Sequence, residues 1–275
     1  MTNAYFSRQG DHFTPLADAR GSWSDDSIHG VALCGLLGHV AEQALATHGR
    51  TDDLVPARFA VEMFAPPRFE ECGVSTRVVR DGPRICLIDV ELSQSGTPVA
   101  RAGAPFARAG GRAGGEVGAS AAPPHPPVLE GVELHEDPYM PFIRSDEGPW
   151  TQEFGSHQNA GRRGYWQRFN PVVDGCPTTP FEAAASCADG VNMTTNWGTR
   201  GVEYINTDAT LSLTRSPEGT EIGLRTLERT EHAGVAAGAA VMFDGAGPFG
   251  LVTCTSIANT RRTVDMSALE FDVSV

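Results

Sequence analysis

One supersecondary pattern occurs twice in this chain, and that repetition confines it to architectures able to pair two copies of one unit. An apolar helical stretch over 31–47 precedes four strand-like segments within 59–106, and a second helical stretch over 179–195 precedes four more within 202–258. Aligning Arg58–Phe64 with Tyr204–Thr210 sets the copies 146 residues apart, while aligning the turn glycines Gly96 and Gly247 sets them 151 apart. Two separate elements agreeing this closely indicate a duplicated unit. The repeat is one of pattern, since identity between the halves is slight.

The first helix, Val31–Leu45, is apolar nearly all round, which marks it as buried rather than laid on a surface. Segments 57–65, 73–80, 85–93 and 98–107 follow it, each a strand by alternation or β-branched content. Pro66-Pro67, Asp81-Gly82-Pro83 and Ser95-Gly96 supply the turns between them. One helix followed by an antiparallel meander predicts an α+β unit in which a sheet curls around a central helix. The second copy reads the same way, with strands at 202–214, 221–230, 235–243 and 248–258. Its helix opens at Thr179, a predicted N-cap, with Pro180 at the first helical position.

Between the copies, Gly, Ala and Pro dominate, as in Arg108-Ala109-Gly110-Gly111 and Ala121-Ala122-Pro123-Pro124, a linker composition with little to pack. The expected division is therefore 1–108, a linker at 109–135, and 136–275, the last opening with a polar loop over 136–163 and a strand over 165–169. A chain of 275 residues suits two such units. It contains no apolar run long enough to span a membrane and begins without a basic, apolar leader, so the expected location is the cytoplasm. A net charge of −13 argues against a nucleic-acid backbone as partner. Cys34, Cys72, Cys86, Cys176, Cys187 and Cys254 lie far apart with no C-x-x-C pair, as expected of reduced thiols rather than metal ligands or disulfides.

Gly245–Gly250 matches G-x-G-x-x-G but precedes strand residues rather than a helix, so it reads as a hairpin turn and not a phosphate cradle. No G-x-S-x-G, Walker loop or H-E-x-x-H occurs. The candidates left are polar residues where core is expected. Asp189 ends the second helix's apolar run, where a carboxylate is costly unless paired or open to a cleft. Asn206 stands on the adjoining strand, opposite Ala60 in the register above, and Thr255 lies on the last strand. In the first half His29 reads as a loop or cap residue. Arg58, Arg77, Arg80, Arg84 and Arg101 could meet phosphates or simply line a solvated strand face.

Trp23 with His29-Gly30, Leu36-Leu37 and Glu42, then Val99–Ala102, Trp166 with Arg168, Asp189 with Asn192, Ile205–Asp208, and Arg215, Pro217 and Gly219 occur in an order that resembles the double-hotdog acyl-CoA thioesterases of the bacterial type II class, in their actinobacterial branch. The likeness covers most of the chain outside the linker and the 136–163 loop. It implies a double hotdog, two antiparallel sheets each wrapped around a long central helix, acyl-CoA as substrate, and hydrolysis by a bound water without a cofactor. Active relatives place an Asp, a Thr and a Gln around that water, and the matching positions here are Asp189, Asn206 and Thr255. Both replacements can hydrogen-bond a water. The alternatives are a hotdog pair that holds an acyl chain or acts as a scaffold without hydrolysis, and a hotdog hydratase built on Asp25 and His29. Unsatisfied sheet edges or faces suggest a homo-oligomer.

Overall fold

The computed structural model describes residues 3–268 except 23, 25, 52–53, 112–113, 116–139 and 147, which leaves Trp23, Asp25 and most of the expected linker outside the described residues. In the first half, β1 (Phe6–Gln9) and β2 (His12–Pro15) precede α1 (Gly30–Thr47), β3 (Val55–Pro56), β4 (Arg58–Met63), β5 (Cys72–Gly82), β6 (Ile85–Gln94) and β7 (Thr97–Ala107). In the second, β8 (Phe142–Ser145) and β9 (Arg163–Arg168) lead into α2 (Pro180–Ala188) and α3 (Gly190–Asn196). The short β10 (Trp197–Gly198), β11 (Gly201–Val202) and β12 (Tyr204–Asn206) follow, then β13 (Asp208–Leu213), β14 (Glu221–His232), β15 (Val235–Asp244) and β16 (Gly247–Ala258).

The duplication is visible in the strand order, β1-β2-β5-β6-β7-β4-β13-β16-β15-β14-β9-β8, which reads the same from either end once β1-β2 is matched with β8-β9. Both halves carry the same irregularities. Register shifts lie between Val78 and Arg80 and between Leu92 and Ser93 in one, and between Thr226 and Glu228 and between Met242 and Phe243 in the other. The Ala57 N–H donates to the Pro105 carbonyl at 3.0 Å, and the Thr207 N–H donates to the Thr255 carbonyl at 2.9 Å. These pairs put the copies about 150 residues apart. The alignment of Arg58 with Tyr204 is thus four residues out. Strand patterns repeat every two residues, so an even shift keeps every apolar side chain on its face and the sequence alone does not detect it.

Two expectations change in three dimensions. The halves do not form separate sheets, because β4 and β13 pair antiparallel, Ala60 opposite Thr210, and join both copies into one fourteen-stranded sheet. The second helix is not one long rod, because the helical path is interrupted at Asp189, the C-cap of α2 and N-cap of α3. Part of the expected polar loop forms β8, which pairs with β9, and the N-terminal hairpin β1-β2 was not expected at all. Both lie at sheet edges, where strands are short and their pattern weak.

The helices pack on the inner face, and α1 is fully enclosed from Ala32 to Ala41, as its all-round apolar sequence requires. Contact with α2 is close because α1 offers glycine: a Cβ at Gly35 would lie 2.3 Å from Ser186 Oγ, and one at Gly38 would lie 2.6 Å from Ala185 Cβ. With Gly30 against Asp189, the contacts run antiparallel along the two helices. Thr179 caps α2 as expected, within a capping box whose other half is the Glu182 side chain. Among the described residues all six cysteines are free, five of them buried, and no helix is long and apolar enough to cross a membrane.

Candidate active site

The antiparallel packing of α1 on α2 carries the Asp189 carboxyl to the first residue of α1. A Cβ on Gly30 would come within 2.3 Å of all three carboxyl atoms, so only glycine leaves room for it there. That end of α1 is held by His29, whose Nδ1 accepts from the Ala32 N–H at 2.9 Å while its Nε2 lies 2.8 Å from the Asp18 carbonyl. An imidazole that accepts at one nitrogen and donates at the other is neutral, and burial pushes its pKa down to about 4. His29 is therefore a cap with both nitrogens committed, which removes the hydratase reading's histidine. The cap does not use the N–H groups of Gly30 and Val31, and these stand at the positive end of the helix dipole.

Asn206 closes on Asp189 from the sheet, its Nδ2 donating to Asp189 Oδ1 at 2.9 Å. The strand is able to do this because it bulges at Thr207, between the Asn206–Ser256 pair and the Thr210–Thr253 pair, which re-aims Asn206. Burial raises the Asp189 pKa above the usual carboxylate range, and the Asn206 hydrogen bond pulls it partly back. Both side chains remain partly open, and the second carboxylate oxygen lies outside that bond. A partly open carboxyl with one oxygen fixed and a pKa held above the usual carboxylate range is suited to act as a proton acceptor.

Thr255 does not join them. Along β16 exposure alternates, and Thr255 falls on the outer, solvent-facing side, its backbone N–H held by the Asp208 carboxylate at 3.2 Å. The inward residue is its neighbour Ser256, cross-strand partner of Asn206. Its hydroxyl lies 3.0 Å from Asn192 Oδ1 and 3.1 Å from Asn196 Nδ2. Asn192 in turn donates to the Tyr204 carbonyl, so this buried network braces the strand that carries Asn206. The arginines lie elsewhere: Arg77 pairs with Asp89 and Arg101 with Glu62 on exposed strand surface.

With the copies in corrected register, the position of Asp189 corresponds to His39 and that of Asn206 to Pro56, rather than to Ala41 or Glu42 and to Ala60. His39 is 2% exposed and its Nδ1 lies 2.6 Å from Glu182 Oε1. Glu42 beside it accepts from the Thr179 hydroxyl, and burial lifts its pKa to about 7. The space around them is filled: Phe181 meets Phe59 edge-on at 5.7 Å and Phe106 at 5.9 Å, and Phe13 lies edge-on to His39 at 6.3 Å. The first-half counterpart is therefore closed, and the second-half position is the open one. His39 and Glu182 escape the sequence reading because a lone His and a lone Glu on two distant helices carry no joint pattern.

One described cluster could supply three metal ligands, His48, Asp81 and Cys86, with ligand atoms within 4.8 Å of one another. The Arg50 guanidinium already neutralises Asp81 there, and His48 caps the opposite end of α1 from Asp189.

The sequence pattern of the acyl-CoA thioesterase N-terminal domain matches residues 19–107, and that of the acyl-CoA thioesterase C-terminal domain matches residues 117–257. No curated protein matches the chain in sequence. Solved structures share its fold across nearly all of it. A TesB protein of Mycobacterium avium subs paratuberculosis is similar at TM-score 0.64 and 13% identity, covering 92% of this chain and 95% of that one. An acyl-CoA thioesterase II, TesB2, from Mycobacterium marinum is similar at TM-score 0.56 and 17% identity, over 92% and 95% of the two chains. A hot dog fold protein from Alicyclobacillus acidocaldarius gives 0.61 and 17%, over 95% and 97%.

Proposed function

Because the chain belongs to the acyl-CoA thioesterase family, we propose that it hydrolyses the thioester of an acyl-CoA with a water activated by Asp189. The observation that carries this reading is the Asp189–Asn206 hydrogen bond placed against the N-terminus of α1. Asn206 holds Oδ1, and the other carboxylate oxygen accepts a proton from water as the water oxygen attacks the acyl carbonyl. The carbonyl oxygen, gaining negative charge, lies at the N–H groups of Gly30 and Val31, where the helix dipole favours an anion. Collapse of the tetrahedral intermediate breaks the C–S bond, and the proton held by Asp189 passes to the departing CoA thiolate. The products are the fatty acid and free CoA, and no cofactor takes part.

Ser256, Asn192 and Asn196 act in this reading as positioning residues behind Asn206, replacing Thr255 in the expected set. The two hotdog units at 1–108 and 136–275, joined by the linker at 109–135, remain part of the proposal. So does association between copies through Val235, Leu251 and Ile257, which are 51%, 53% and 50% exposed on the outer face of β15 and β16. The competing reading, acyl-CoA binding without hydrolysis, draws on the outward side chain of Thr255, which leaves the pair without the third polar partner found in active relatives. Thiol release from acyl-CoAs, with binding measured in parallel, separates the two. Asp189→Ala is expected to lower turnover by about a hundredfold or more while retaining binding; an unchanged rate rejects the mechanism.

A further inference from the structure

Half-buried Arg229 stands on the inward face of the sheet, opposite Gly238, where an added Cβ would strike Thr195 of α3. Its Nε donates to Asn196 Oδ1 at 2.8 Å, and its guanidinium lies over the Tyr204 ring, 4.9 Å from the centroid. Arginine nitrogens only donate, so this bond fixes which end of the Asn196 amide is the oxygen. Asn196 Nδ2 then donates to Asn192 Oδ1 at 2.8 Å and to Ser256 Oγ at 3.1 Å. Asn192 Oδ1 also accepts from the Ser256 hydroxyl at 3.0 Å, which leaves Asn192 Nδ2 to donate to the Tyr204 carbonyl at 3.0 Å. Donation runs one way, from Arg229 to β12.

The far end of this chain holds a strand with little else to hold it. β12 has three residues and pairs with β16 alone among the described strands. The Glu203 carbonyl accepts from the Asn259 N–H, so the next carbonyl, that of Tyr204, points away from β16. Asn192 meets it there, two residues before Asn206. In the first half the positions of Asn196 and Ser256 hold Ala46 and Phe106, which confines the chain of hydrogen bonds to the half that carries Asp189.

We propose that Arg229 is a positioning residue for the hydrolytic pair, its Nε–H setting the direction of the hydrogen bonds that brace β12 and aim the Asn206 amide at Asp189. This rests on the thioesterase reading for the reaction, while the role itself comes from the hydrogen-bond chain. Without the Nε–H the Asn196 amide is free to turn over, and Asn192, turning with it, sets an oxygen against the Tyr204 carbonyl. Because the donor is Nε, a substitute counts by what it places at that atom. Glutamine places an amide nitrogen there, lysine a methylene with its charge one atom farther out, and methionine a methyl.

The test follows thiol release from acetyl-CoA and dodecanoyl-CoA across pH in the parent, Arg229→Met, Arg229→Lys and Arg229→Gln. A carbon-13 titration of the Asp189 carboxyl, assigned by its loss in Asp189→Asn, runs beside it. Arg229→Met and Arg229→Lys should each lower kcat by about tenfold with KM little changed, the scale of one lost hydrogen bond, and Arg229→Gln should recover most of that loss. The Asn206 bond pulls the Asp189 pKa down, so loosening it should move the acid limb and the carboxyl titration to higher pH in the Met and Lys variants. The thiols of Cys34 and Cys254, which feel the Asp189 charge, are pushed up by burial and stay neutral there, and His29 at the α1 cap is neutral above about 4. Retention by lysine with loss by glutamine would make the role one of charge and overturn the proposal. So would variants that all lower Tm alike and leave the Asp189 titration where it is. A parent that releases no thiol overturns the hydrolytic reading instead, and the carboxyl titration, which needs no substrate, then decides the positioning role by the same order of variants.

Discussion

Asp189 and its twin His39 illustrate how one position in a duplicated unit can be turned to opposite ends. Both are costly polar groups in a core, and one is kept half-open beside a helix N-terminus while the other is sealed and paired with Glu182. Burial holds the Asp189 pKa above the ordinary carboxylate range, so its charged form is less stable in the folded chain than in the unfolded one. A carboxyl raised on folding lowers stability as pH rises through its two pKa values. Asp189→Asn, which keeps an acceptor for Asn206, should therefore raise Tm at neutral pH and lose that advantage in acid. Turnover of the parent should rise with pH as Asp189 ionises, and the variant should lose that limb along with its activity. Thermal melts and a pH–rate profile check both arms. Asp189 and Asn206 were legible in the sequence as polar residues in apolar company. Thr255 was misplaced because one residue along a strand exchanges the two faces of a sheet, and Ser256, which turns inward, differs from it too little in type to be singled out.

A pair of buried loop anchors shows the same compensation between elements. In the second half Asp244, with no exposed surface, accepts both guanidinium N–H groups of Arg215 at 2.7 Å and the backbone N–H groups of Glu218 and Ala246. In the first half the same position at the end of the strand is Gln94, which accepts from the Arg68 N–H at 2.8 Å, and the place of Arg215 is taken by Ala65. A charged anchor comes with its arginine and a neutral one does without. Arg215→Ala should cost about 2–3 kcal/mol, because it strands a buried carboxylate, with the figure reduced for the arginine's partial exposure. Adding Asp244→Gln should recover most of that loss, since the first half already folds with that combination. Denaturant titrations of the single and double variants measure it, and a double variant no better than the single one would count against the argument. Elements with strong local signals, such as the Thr179 cap, the turns and seven of the eight expected strands, were readable from sequence, whereas the expected strand over 202–214 is broken into β11, β12 and β13. The close fit of α1 on α2 was not, since the glycines that permit it have meaning only once the facing Ser186 and Ala185 are known.

Across the whole molecule, the pairing of β4 with β13 and the packing of α1 on α2 make the two copies one body. Covalent continuity should then be dispensable. A protease site placed within 109–135 and cut in the native state should leave both fragments co-eluting at the mass of the intact protein, with a lower Tm because reassembly is no longer intramolecular. Separation of the fragments in size-exclusion chromatography would contradict this. The amino-acid sequence by itself determined that there are two copies of a helix-and-meander unit, that their helices are buried, and that a carboxylate and an amide in the second copy are out of place. Each of these is a local pattern, set by the spacing of apolar side chains along the chain. Only the tertiary structure decided that the copies share one sheet, how they are aligned, that Asp189 meets Gly30 at the start of the other helix, and that one of two equivalent sites is filled by phenylalanine. Those facts depend on which residues meet across distances of more than a hundred positions, and period-two strands and apolar helices admit several such meetings until packing selects one.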